Sequence, residues 1–216
     1  MTERLEKIFS VLPCCEVFVD IGCDHGYIAK SMIESQKCKK AIVSDISQKC
    51  LQKAEKLLYK YIQNGSVTSV VCDGFDEIDG CDLALIAGMG GQEICDIISR
   101  AKTQNKLPEN LVLQPMKNCE KVRVLAVELG YKIISDKVFF SANKYYNLIV
   151  LAKGKDCLTD EEIEFGRDNL RLLHDDFKLM IKQTLTKQNE ILKQENLTDE
   201  TRKTVKEKVK KLEKYV

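Results

Sequence analysis

The 216-residue chain has no tryptophan, three prolines, two histidines and only 6% aromatic residues. No apolar run approaches the ~18 residues of a membrane span, so no membrane segment is expected. Residues 1–16 carry acids and no continuous apolar stretch, so a signal peptide is not expected either. The formal net charge is only +1, which neither demands nor excludes nucleic acid; the distribution of charge has to decide. Cysteine is plentiful, with ten residues, yet there is no C-x-x-C pair, and His25 and His174 stand at no ligand spacing from any cysteine pair. That pattern argues against a zinc site, so no metal is expected. Most of the cysteines fall inside predicted strands or helices, as small apolar residues do. Reduced thiols in a cytoplasmic protein are the simplest reading.

An apolar fraction of 44% with 31% charged residues describes a globular chain. Its length allows a domain of ~150 residues with an appendage. The composition changes at Gly154, so residues 1–154 are read as one domain and 155–216 as a helical second one.

The organising stretch is VFVDIGCDHG at 17–26. Val17, Phe18 and Val19 predict a short buried strand, Asp20 closes it, and Gly22 and Gly26 turn the chain into a helix near Tyr27. Ligands of open α/β sheets bind just past the strand ends. Upstream, Leu5, Ile8, Phe9 and Leu12 predict a short helix over 3–12. A second strand at 40–46 ends at Asp45 and Ile46. Asp45 reads either as an acceptor for ribose hydroxyls or as the N-cap of a helix over 48–62, a role Ser47 can also take. A third strand at 67–72 runs into Asp73 and Gly74. A fourth at 82–87 ends at Ala87 and is followed by Gly88-Met89-Gly90-Gly91, an open loop poor in side chains before a helix at 92–101. A fifth strand at 110–114 ends in Gln114-Pro115-Met116, with a helix at 117–129. Two final strands at 131–140 and 145–152 form a hairpin, which makes the last pair antiparallel.

Beyond Gly154, Thr159 and Glu162 form a capping box. Ile163, Leu170, Leu173, Phe177, Met180 and Ile191 predict one helix of more than thirty residues, ~50 Å long at 1.5 Å per residue. Asn196-Leu197-Thr198 breaks it. A second helix with Val205, Val209, Leu212 and Val216 on its apolar stripe is expected to fold back as an antiparallel hairpin. Arg202, Lys203, Lys206, Lys208, Lys210, Lys211 and Lys214 face only Glu207 and Glu213 there. This is either a solvated helix face or a phosphate-binding edge. Lys117, Lys121, Arg123 and Lys144 read the same two ways.

Two cofactors fit a glycine turn after a first strand. The dinucleotide fingerprint G-x-G-x-x-G needs glycines at 24 and 27, where this chain has Asp24 and Tyr27. The S-adenosylmethionine pattern D-x-G-x-G-x-G is met by Asp20, Gly22 and Gly26, with Asp24 departing. Three acids at three strand ends suit the methionine amino group, the ribose and the adenine amino group of that molecule in turn. The fold class expected is therefore α/β, a Rossmann-like seven-stranded class I methyltransferase sheet with an antiparallel last strand, followed by a helical hairpin or coiled coil.

DIGCDHGY at 20–27, AGMGG at 87–91 and LQPM at 113–116, followed by the helical hairpin, together resemble the bacterial tRNA (adenine-22-N1)-methyltransferase family. The resemblance implies methyl transfer from S-adenosylmethionine to N1 of an adenine in tRNA. By position it implies a cofactor pocket of Asp20, Gly22, Cys23, Asp24, His25, Gly26, Asp45, Ile46, Asp73, Gly74, Ala87 and Gly88. Met89, Gly90, Gly91, Gln114, Pro115 and Lys117 would border the target, and Arg202, Lys203, Lys206 and Lys210 would hold tRNA. Where the family tends to carry an acid after a tyrosine in the last strand, this chain has Asn147. Asp24, then His25 and Tyr27, are the candidates for contact with the base or its proton. A small-molecule methyltransferase and a non-catalytic binding module on the same fold are the competing readings. A monomer is expected, with dimerisation through residues 158–216 as the other possibility.

Overall fold

The computed structural model describes residues 1–194 and 196–216. Seven strands form one sheet in the order β3-β2-β1-β4-β5-β7-β6. They are β1 (Cys15–Ile21), β2 (Cys38–Asp45), β3 (Val67–Val71), β4 (Leu83–Met89), β5 (Asn110–Pro115), β6 (Tyr131–Ser141) and β7 (Lys144–Lys153). β1 to β5 pair in parallel, while β7 runs antiparallel to both β5 and β6. The expected fold class is what the chain adopts.

Because side chains alternate across a strand, neighbours such as Phe18 and Val19 enter opposite layers. Phe18, Val43, Leu85 and Val112 meet α1 (Glu3–Val11), α2 (Tyr27–Glu34) and α3 (Gln48–Gln63) through Ile8, Met32 and Leu58. Val19, Ile86, Leu113 and Ile149 meet α4 (Gly91–Thr103) and α5 (Cys119–Glu128) through Ile94, Ile98 and Val122. Strand order turns outward on either side of β1 and β4, and at such a switch point the ends of the parallel strands leave an open crevice.

The region after Gly154 departs from expectation. The capping box forms as Thr159 and Glu162 predicted, but the long helix is three pieces: α6 (Asp160–Phe165), α7 (Arg167–Leu172) and α8 (Asp175–Leu192). The first break is at Gly166, whose φ is +86° and where an added Cβ would stand 2.7 Å from an Asp136 carboxylate oxygen. The second is at Leu173, with φ +45°, after which His174 caps α8. At 18 residues, α8 is roughly 27 Å long. Thr198 caps α9 (Asp199–Leu212) as expected, and α8 and α9 lie against each other.

These helices are fastened to the sheet rather than appended to it. β6 is an edge strand, and its outward amides would be left unpaired. Instead the amides of Ile133, Asp136, Val138 and Phe140 donate to Asp156, Asp168, Asn169 and Asp176 at 2.8–3.2 Å. Val138 also joins an apolar cluster with Phe165, Phe177, Ile181 and Leu212. Beneath it, Arg123 of α5 is 1% exposed and pairs in bidentate fashion with fully buried Asp136, at 2.6 and 3.0 Å. The same guanidinium donates to Asn147 Oδ1 and to the Ile163 carbonyl of α6. Arg123 is therefore a structural cation and cannot meet phosphate, and Asn147 serves as one of its acceptors.

Candidate active site

A cavity of about 1020 Å3 opens along the carboxyl ends of β1, β2 and β4. One wall is the turn after β1. Gly22 has φ +69°, the left-handed region that favours glycine, and an added Cβ would lie 2.1 Å from the end of the flexible Met89 side chain. Cys23, Asp24 and His25 continue it, with Asp24 also at positive φ (+47°). Asp45 and Ile46 after β2, Cys72, Asp73 and Gly74 after β3, and Ala87, Gly88 and Met89 at the end of β4 complete the ring.

The three strand-end acids differ in their surroundings. Asp20 is buried, and desolvation first, then the negative charge of Asp45, push its carboxyl up to about 7 against the opposing Ala29 amide. Asp45 Oδ1 accepts the Ser47 amide at 2.8 Å, while Ser47 Oγ caps α3 by accepting from Cys50 at 3.3 Å. The cap thus falls to Ser47, and Asp45 Oδ2 has no partner among the described residues. Asp73 Oδ1 is 2.7 Å from Arg100 Nη2, with its second carboxylate oxygen free among the described residues. The row therefore offers carboxyl oxygens at three separate places along the cavity.

Asp24, His25 and Tyr27 form a connected group on the rim. Asp24 Oδ1 takes Lys53 Nζ at 2.8 Å and Oδ2 takes His25 Nδ1 at 2.6 Å. The hydrogen bond from Lys53 first, and that from His25 after it, hold the Asp24 carboxyl below the usual carboxylate range against partial burial. Both Asp24 oxygens are thus engaged on the rim of the cavity, one by the Lys53 ammonium and one by the His25 ring. The His25 and Tyr27 rings stack at 5.5 Å and 9°. Burial, followed by Asp20 and Asp45, pushes the Cys23 thiol up, which keeps it protonated and removes it as a nucleophile.

Several residues expected at the site stand outside the cavity lining. Gly26 is buried outside the cavity lining; a Cβ there would meet Leu58 Cδ1 at 2.7 Å, so it serves α2–α3 packing. Gly91 is buried against the Lys117–Asn118 backbone, where a Cβ would meet the Asn118 carbonyl at 2.4 Å. Gly90 is the N-cap of α4 and lies outside the lining. Gln114 and Pro115 are buried at the end of β5, and neither lines the cavity. Lys117 is exposed. Arg202 donates to the Leu192 and Gln194 carbonyls, closing the carboxyl end of α8. Lys203, Lys206 and Lys210 are exposed, and no ion pair among the described residues engages them, whereas Lys211 and Lys214 pair with Glu164 and Glu161.

The structure also brings in residues that the motifs do not contain. Thr2, Glu3, Arg4 and Leu5 of the N-terminal segment, Glu93 and Ile97 of α4, and Ser141, Ala142 and Tyr146 of the β6–β7 hairpin line the cavity. No group of three or more metal-ligating side chains occurs among the described residues. No helix among them is long and apolar enough to cross a membrane.

Residues 1–149 match the family model described as "Methyltransferase domain". A Mycoplasma pneumoniae protein provisionally named a tRNA methyltransferase is 30% identical over 158 residues, 70% of this chain and 71% of its own. The tRNA (adenine(22)-N(1))-methyltransferase of Bacillus subtilis is 27% identical over 156 residues, covering 71% of this chain and 66% of the relative. The chain belongs to the tRNA (adenine-22-N1)-methyltransferase family. Among solved structures, M. capricolum TrmK in complex with S-adenosyl-homocysteine matches the methyltransferase with a TM-score of 0.85 at 26% identity, over 100% of this chain and 97% of that one. The similarity therefore extends through the C-terminal helices of this methyltransferase, beyond the segment matched by sequence.

Proposed function

We propose that the chain transfers the methyl group of S-adenosylmethionine to N1 of adenine 22 in tRNA, acting as a monomer in the cytoplasm. One observation carries this reading. Asp20, Asp45 and Asp73 stand at three parallel-strand ends around one cavity, and that cavity runs on to the side-chain-poor end of β4 at Gly88 and Met89. The S-adenosyl-homocysteine complex of the M. capricolum relative and the name of the Bacillus relative support the choice of cofactor and substrate.

Asp20 would hold the methionine amino group, Asp45 the ribose hydroxyls, and the free oxygen of Asp73 the adenine amino group. Gly22, Cys23, Asp24, His25, Ile46, Gly74, Ala87 and Gly88 would enclose the cofactor, and Met89 would border the target base. When bound, S-adenosylmethionine supplies a methyl group on a cationic sulfur. The Gly88-Met89-Gly90-Gly91 stretch, where β4 passes into α4, offers no polar side chain to hold an exocyclic amine. That suits an endocyclic nitrogen whose in-plane lone pair attacks without prior deprotonation. The contribution of the chain is then alignment and exclusion of water rather than base catalysis.

N1 lies on the Watson–Crick edge, so the adenine has to be unpaired or turned out of its stack. Residues 155–216 would then hold the folded RNA, with Lys203, Lys206 and Lys210 meeting phosphates. Asp176 ties the start of α8 to β6, and α9, which carries those lysines, packs against α8. Unmodified tRNA carrying adenine at 22, and the same tRNA with guanine there, are to be incubated with labelled cofactor. Incorporation into the first and none into the second is expected. Equal incorporation into both would reject the assigned target.

A further inference from the structure

The cavity is longer than the row of strand-end acids. Its far end is walled by the N-terminal segment and the β6–β7 hairpin, and one residue there stands in a position that the cofactor reading does not use. Arg4 Nη1 donates to Gln114 Oε1 at 2.5 Å, and its guanidinium lies 5.7 Å from the centroid of the Tyr146 ring. Tyr146 is backed in turn by Phe139 at 5.5 Å. Gln114 is buried at the end of β5 and its own amide donates to the Pro115 carbonyl at 3.2 Å, so its oxygen is held toward Arg4. The guanidinium also faces Gly88, where an added Cβ would be 3.5 Å from Nη1. Arg4 is thus aimed from α1 at the loop beside the target.

A guanidinium has five N–H donors. One is used by Gln114, and no carboxylate among the described residues comes within ion-pair distance of Arg4. Glu3, its neighbour, accepts from Ser141 Oγ at 2.9 Å, and Glu93, which also lines the cavity, makes no ion pair with Arg4. A half-buried cation held by a neutral amide and an aromatic face keeps its charge available to an anion. Methyl transfer to N1 places positive charge on the adenine ring, so a cation against the ring edge would oppose the step. The matching group on a nucleotide turned out of its stack is its phosphate.

We propose that Arg4, held by Gln114 and Tyr146, is a positioning residue that binds a backbone phosphate of the target nucleotide. This rests on the methyltransferase reading and names the part of tRNA that the far end of the cavity holds. The test compares the wild type, Arg4→Ala, Arg4→Lys and Gln114→Glu in tRNA methylation and in S-adenosylhomocysteine binding, with thermal melts as a check on folding. For Arg4→Ala, KM for tRNA should rise on the order of tenfold, as for loss of a charge-assisted bond, with S-adenosylhomocysteine affinity unchanged. The slope of log affinity for tRNA against log salt should shrink by about 0.7–0.9, the contribution of one phosphate. Arg4→Lys should restore the slope. Gln114→Glu, which places a carboxylate on the guanidinium and leaves it in place, should lower the slope as Arg4→Ala does. An unchanged KM and slope in Arg4→Ala, or loss of slope in Arg4→Lys equal to that in Arg4→Ala, would overturn the proposal. A wild type that methylates no tRNA would instead overturn the function, so the two failures are separable.

Discussion

Asp20→Asn should stabilise the free protein while abolishing cofactor binding, and the size of the gain can be worked out. The Asp20 carboxyl lies at about 7, against an ordinary 3.8, because it is buried at the end of β1 and faces Asp45. Its folded form holds the proton more tightly than the unfolded chain does. Between about pH 4 and 7 the folded state therefore binds more protons, and stability falls as pH rises through that window. The whole displacement corresponds to about 4 kcal/mol at 1.36 kcal/mol per pKa step. Part of it lies below pH 5, and water in the open cavity reduces the rest, so about 2 kcal/mol is expected between pH 5 and 8. An asparagine carries no charge at either pH. Its advantage over the wild type should widen by about 4–8 °C in melting temperature from pH 5 to pH 8 for a chain of this size. Calorimetric titration with S-adenosylhomocysteine, which carries the same amino group, should show binding to the wild type strengthening as pH rises toward 7 and no measurable binding to the variant. A variant whose melting advantage does not grow with pH, or one that binds the ligand normally, would refute the reasoning.

The remaining expectations concern packing and the RNA surface. Gly22→Ala places a Cβ 2.1 Å from Met89 Cε at a φ of +69°; it should cost about 1–2 kcal/mol and displace Met89 into the cavity, so titration should show weakened cofactor binding. Arg123→Ala leaves the fully buried Asp136 carboxyl without its bidentate partner, and should cost about 3–5 kcal/mol in denaturant unfolding. Replacing both partners by apolar residues of similar volume should cost much less. Lys203→Ala, Lys206→Ala and Lys210→Ala combined should reduce the salt dependence of tRNA binding by up to about three phosphate contacts and leave S-adenosylhomocysteine titrations unchanged.

The parallel half of the fold was legible because its information is local. Val17–Val19, the 40–46 run and the 82–87 run announce strands, and Asp20, Asp45 and Asp73 each follow one at the same edge. The Ser47 cap, the Thr159–Glu162 box and the Thr198 cap were likewise readable from neighbours in sequence. What escaped was contact over distance. Gly166 sits inside a helical periodicity, and only the Asp136 carboxylate packed against it shows why no side chain fits there. Arg123 looks like a surface cation until β6 and α6 fold over it. Arg4 and Tyr146 carry no motif, and α1 and the β6–β7 hairpin bring them together from opposite ends of the first 150 residues. Gly26 and Gly91 read as ligand-facing glycines, and only the fold shows that they stand outside the cavity lining, against Leu58 and Asn118.

The most direct test of the central claim is the identity of the methylated nucleoside. Unmodified tRNA treated with the protein and S-adenosylmethionine is to be digested and its nucleosides separated by mass, with one portion first warmed in mild alkali. The expected product is 1-methyladenosine that alkali converts to the N6-methyl isomer, with reverse transcription stopping one nucleotide 3′ of position 22. A methylated nucleoside that alkali leaves unchanged, or a stop at another position, would contradict that claim.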